Sequence, residues 1–201
     1  MPRMWLWVEG RGETPHRQTG RGGATAVLVR RILWERYQDY EWQMDTLKVG
    51  HVHNFRPNMA RYVDHLRKRR NEIDAVLLLL DLDDGCAMQV ARDVANELRN
   101  LNPPKSIAVV LAVREYEAWF LAAANSLWGR PYQGNPEGVR DARGEVRRFL
   151  EDYASTTHQS SLSAKMDLEE AEANSRSFRR LVHAVGELRQ AVFQGQVVVT
   201  P

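Results

Sequence analysis

The segment AVLLLLDLDDG, Ala75 to Gly85, constrains the fold of this chain more than any other. An uninterrupted apolar run cannot alternate between core and solvent. A strand of this composition is buried on both faces, as in the interior of a parallel sheet. SIAVVLAV, Ser106 to Val113, repeats the pattern, and Met4 to Val8 opens the chain with a third apolar strand. TLKVGHVH, Thr46 to His53, alternates in the manner of a fourth. Helical spacing joins Val27, Leu28, Ile32 and Leu33 within Ala24 to Tyr37. It also joins Met59, Val63 and Leu66 behind a capping Asn58, and Val90, Val94, Leu98 and Leu101 before Asn102-Pro103-Pro104. REYEAWFLAAA then reads as a helix after the last strand. Strand and helix thus alternate four times, which predicts an α/β fold: a doubly wound, mostly parallel four-stranded sheet with right-handed crossovers.

From Trp128 the pattern changes. Glycine and proline mark a loop as far as Gly144, and helices are expected over Gly144 to Tyr153, Asp167 to Ala173 and Arg176 to Val192. The expected organisation is a sheet domain over residues 1–125 with a helical C-terminal extension over 126–201 packed on it. Cys86 is the single cysteine, so no internal disulfide forms, and a reducing cytoplasm is the expected compartment. The apolar run Ala75 to Leu80 is far too short to span a bilayer, and no membrane partner is expected. A net charge of +2 selects no partner class. Of 28 cationic side chains 24 are arginine, a bias that suits phosphate contacts and that GC-rich coding also produces.

Acids follow three of the four strands. Glu9 closes the first, Asp81, Asp83 and Asp84 close the third, and Glu115 and Glu117 follow the fourth. Ligand sites of open parallel sheets lie at this carboxyl edge. Asp81 and Asp83, two apart in extended chain, project to the same side. Carboxylates converging there repel one another unless a cation lies between them, and hard oxygen ligands select Mg²⁺ or Mn²⁺. Such ions activate water and stabilise leaving oxygens in phosphodiester cleavage. Singly, each acid has a plainer reading as a surface residue or helix cap, Asp83 or Asp84 for the helix that begins near Cys86.

Other chemistries find less support. No Gly-Lys-Ser/Thr triplet exists for a phosphate loop, and the glycines of Gly10 to Gly23 fail the dinucleotide fingerprint at Pro15 and Thr25. His51 and His53 share a strand side but lack a third zinc ligand. No nucleophile elbow is present. Trp5, Trp7, Trp119 and Phe120 read as core. The cationic run Arg67 to Arg70 reads as a solvated helix end or a phosphate contact.

A glutamate closing the first strand with Asp-x-Asp closing the third resembles the Toprim fold of primases, topoisomerases and OLD-type nucleases. VEGRGET resembles the Glu-Gly-x-x-Glu form of the OLD-like enzymes. VEG, DLDDG, REYEAWFLA, SAKMDLEEA and SRSFRRL together resemble a family of Toprim-like proteins labelled as a domain of unknown function, whose genes often lie beside an AAA or ABC-type ATPase in bacterial defence clusters. The resemblance implies a metal-dependent nuclease subunit working with an ATPase partner in anti-phage defence, on DNA in preference to RNA. It implies Glu9 as general acid or base and ligand, Glu13, Asp81, Asp83 and Glu117 as further ligands of Mg²⁺ or Mn²⁺, and Lys165 as a transition-state cation. Lys165 also has the plain reading of a surface lysine. The alternative is a non-catalytic, Toprim-like regulatory or binding subunit of an ATPase complex.

Overall fold

The computed structural model describes residues 1–10 and 23–201. Glu13 and most of the glycine- and arginine-rich segment lie outside the described residues. The element order is β1 (Arg3–Val8), α1 (Ala24–Tyr37), β2 (Gln43–Lys48), α2 (Val52–Lys68), β3 (Ala75–Leu82), α3 (Ala87–Asn100) and β4 (Ser106–Val113). Six α-helices follow among the described residues, α4 (Glu117–Ala122), α5 (Ala124–Trp128), α6 (Ala142–Arg147), α7 (Ser155–Lys165), α8 (Leu168–Asn174) and α9 (Arg176–Gln194), with a 3-10 turn over Pro136–Gly138 between α5 and α6, and then a short β5 (Val199–Thr200). The sheet order is β2-β1-β3-β4-β5, with every described pair parallel.

The two-sided burial of β3 follows from its apolar run. Leu77 and Leu79 join Met4, Leu6, Val8, Ala108 and Val110 on one face, beneath α1, α4 and α9. Val76, Leu78 and Leu80 join Trp5, Trp7, Val109 and Leu111 on the other, beneath α2 and α3. Each fully buried leucine contributes about 2 kcal/mol of hydrophobic stabilisation. Trp5, Trp7, Trp119 and Phe120 are all buried in these two cores.

Three local expectations are corrected. The second strand ends at Lys48, and the residues after it turn at Gly50, whose φ is +79°. Helix α2 therefore starts at Val52 and carries Asn58 in its interior, where the Asn58 side chain donates to the Asn54 carbonyl. Burial of Phe55 on the second face draws these extra residues into the helix. The sheet has five strands, because Val199 and Thr200 pair with Ile107 and Ala108. Two residues are too few to show a sequence period.

The hand of the last connection also differs. β1 steps to β2 over the first face and β3 steps to β4 in the opposite direction over the second, so both crossovers have the same hand. β4 steps on to β5 in that second direction with α9 on the first face, which reverses the hand. The right-handed rule rests on a strand feeding directly into one helix. Here α3 already covers β4 on the second face, and α9 covers the apolar residues of β3 and β4 that α1 cannot reach.

Candidate functional site

β1 and β3 are neighbours, and the helices that follow them depart to opposite faces of the sheet. The topological switch point thus falls between them at the carboxyl edge, the usual ligand position in such sheets. Glu9 and Asp81 meet there. One Glu9 carboxylate oxygen, Oε2, accepts the Asp81 backbone N–H at 3.1 Å. The other, Oε1, lies 2.6 Å from His51 Nδ1. The Glu9 side chain is only 9% exposed. Burial pushes its carboxyl above the ordinary value, against the pull of His51 and the Asp81 amide, and the Asp83 charge pushes it further.

His51 was legible in the sequence only as half of an incomplete zinc pair. The structure places it at the N-cap of α2, more than half exposed, with its ring stacked on His53 at 5.4 Å. The adjacency of strand ends brings it to Glu9: Lys48 pairs with Val8, and the Val49 N–H donates to the Val8 carbonyl at 2.8 Å. A glutamate and a histidine that each follow neighbouring strands were the signal available.

Asp81 is half-buried within β3, and Asp83 is exposed just past its end. Neither of the aspartates that follow β3 occupies the N-cap of α3, which is Cys86. Asp84 instead pairs with Arg114, the first residue after β4, at 2.6 Å. Burial opposes this pairing only weakly, and the guanidinium lowers the Asp84 carboxyl below its ordinary value.

Glu117 belongs to a different constellation. It is fully buried, and its Oε1 accepts the Tyr153 hydroxyl at 2.8 Å, the Ser155 hydroxyl at 3.1 Å and Arg143 Nε at 3.2 Å. Its Oε2 is buried without a hydrogen-bond partner among the described residues. Burial and the Glu117 charge push the Tyr153 hydroxyl far above its ordinary value. Glu115 accepts the Arg143 backbone N–H at 2.9 Å, and burial, reinforced by Glu117, raises its carboxyl. These contacts tie the start of α4 to α6 and α7. Lys165 is exposed at the last position of α7, where the carbonyls of Ser163 and Met166 accept from Arg31 Nη1 at 3.0 and 2.6 Å.

At the carboxyl edge Glu9 thus accepts the Asp81 backbone N–H, lies against His51 and feels the charge of Asp83, while Glu117 is held by Tyr153, Ser155 and Arg143. Among the described residues no group of three or more His, Cys, Asp or Glu side chains is arranged to hold a metal ion. The donor chemistry nevertheless fits a hard cation: these are carboxylate oxygens, and Glu9, raised first by burial, also feels the negative charge of Asp83, which such an ion would neutralise. No described helix is long and apolar enough to cross a membrane. A family model described as a domain of unknown function, DUF4276, matches residues 22–186. No curated protein and no solved structure matches the chain.

Proposed function

The chain belongs to the DUF4276 family, and from that premise we propose that it is a Mg²⁺- or Mn²⁺-dependent nuclease subunit. In this reading it cleaves the phosphodiesters of nucleic acid, DNA in preference to RNA, together with an AAA or ABC-type ATPase in phage defence. The supporting observation is the meeting of Glu9 with the Asp81 amide at the topological switch point, beside Asp83. The resemblance of Glu9 and Asp81-x-Asp83 to the Toprim pattern points the same way.

Glu9, Asp81 and Asp83 would hold the ion, with the exposed Asp83 turning toward Glu9. When bound, such an ion supplies Lewis-acid stabilisation of phosphoryl charge and a more acidic water. His51 fixes the Glu9 carboxylate against Asp81, so that its orientation is set before substrate arrives. Glu13 as a further ligand and Lys165 as a cation facing the transition state are part of the proposal. Glu117, expected as a ligand, serves in this reading to anchor the helical layer. The test is nicking of plasmid DNA with Mn²⁺: Glu9→Gln and Asp81→Asn should abolish it, and folded variants that retain it would overturn the reading.

A second reading, the non-catalytic subunit, is favoured by one surface feature. Trp34 and Tyr40 are 55% and 64% exposed, with rings 5.9 Å apart, near the end of α1 remote from the acids. Exposed aromatics of this kind are enriched at protein interfaces. If Mn²⁺ leaves the melting temperature unchanged and Trp34→Ala abolishes ATPase binding, this second reading replaces the first.

A further inference from the structure

Arg114 has a backbone conformation that its side chain does not favour. Its φ is +72°, in the left-handed region. For a long side chain such a conformation is unfavourable and persists where neighbours hold it. The Arg114 N–H donates to the Leu82 carbonyl at 2.9 Å, which fixes it against the end of β3. From there the guanidinium reaches back over the acidic turn. Nη1 donates both to the Asp83 carbonyl and to Asp84 Oδ1. Nε and Nη2 make no hydrogen bond among the described residues, so the fork is only partly used.

The Arg114–Asp84 pair is at the surface, with side chains 23% and 76% exposed. An exposed pair of this kind contributes little to stability. A phosphate offers the guanidinium a bidentate, charge-assisted alternative. Arg140, also exposed, acts on Asp84 from the same side and adds to the local positive field. Because Leu82 pairs with Val113, Arg114 follows the strand next to the one that ends in Asp81-x-Asp83, and its guanidinium reaches the Asp83 carbonyl.

We infer that Arg114 contacts a backbone phosphodiester of the nucleic acid, and that Asp84 occupies its guanidinium as an internal anion until that phosphate displaces it. The inference rests on the nuclease reading of the neighbouring acids and names the residue that would seat substrate beside them. Its prediction is directional. Removing the internal anion should strengthen binding, which damage to the turn would not do.

The experiment is anisotropy of a short labelled DNA duplex in EDTA, so that binding is read without cleavage. Asp84→Asn should tighten binding by about threefold, the scale of an exposed ion pair. Arg114→Gly removes the guanidinium at a φ that glycine adopts freely. It should weaken binding by about tenfold and lower the slope of log affinity against log salt by about one. Wild-type binding with unchanged affinity and slope in Arg114→Gly would overturn this inference and leave the nuclease reading standing. Weaker binding in Asp84→Asn would also overturn it, since Asp84 would then be scaffold. Arg114-dependent binding of inorganic phosphate, with DNA binding indifferent to Arg114, would reassign the residue to a small ligand. Failure of the wild-type protein to bind DNA at all would remove both readings.

Discussion

Two acidic groups follow the strands of this sheet, and they are built in opposite ways. Glu117 is buried under donors from Tyr153, Ser155 and Arg143, which join α4 to the start of α7 and to α6. Glu9 is nearly as buried, but its contacts include a backbone amide and an exposed histidine at the switch point of the sheet, and its neighbour Asp83 repels it. The first group neutralises its charge within the protein. The second lies at the position where an open α/β sheet accepts ligands. Sequence alone presents both as an acid after an apolar strand; packing separates them.

That contrast breaks if the two groups respond alike. The largest expected effect is on activity. Glu9→Gln and Asp81→Asn should each lower Mn²⁺-dependent cleavage by about a thousandfold, or about 4 kcal/mol in activation free energy. Their metal-free melting temperatures should stay close to that of the parent, as differential scanning calorimetry would show. Glu117→Ala should do the reverse. It strands the Tyr153 and Ser155 hydroxyls and leaves Arg143 with less compensation, so denaturant unfolding should report a loss of about 3 kcal/mol. Tyr153→Phe removes a single donor from the same carboxylate and should cost about 1.5 kcal/mol in that assay.

The smallest effect is a pH dependence. Glu115 is raised in the fold, first by burial and then by Glu117, against the Arg143 amide and charge. The folded state therefore holds this proton more tightly than the unfolded chain. Stability from this group is full below the ordinary carboxylate value of 4.5 and is lost as pH rises through the higher folded value. Glu115→Gln should gain stability relative to the parent between acid and neutral pH, measured as the difference in unfolding free energy. A constant difference across that range would show that Glu115 is not raised.

Much of the architecture is visible in the apolar runs, because a strand buried on both faces leaves few alternatives to a parallel sheet. Ala75 to Leu80 and Ser106 to Val113 are central strands as their composition demands. β5 was hidden because two residues carry no period, and the start of α2 because Gly50 interrupts an apparent alternation. α7, STTHQSSLSAK, has too few apolar residues to mark a face, yet it packs against α1. That Glu9 lies beside the Asp81 backbone followed from strand order and was legible. The Glu9–His51 contact was not, since it depends on β2 lying beside β1 and on where α2 begins. The fate of Glu117 depended on Tyr153 and Arg143, which lie well beyond it in the chain and reach it only through the folding of the helical layer.

The measurement that bears most directly on the account is Mn²⁺ binding by isothermal titration calorimetry of the full chain and two variants. Binding by the parent and by Glu117→Gln, with loss in Asp81→Asn, is the predicted result. Loss in Glu117→Gln with binding intact in a folded Asp81→Asn would contradict it, and would move the metal site from the switch point to the buried network.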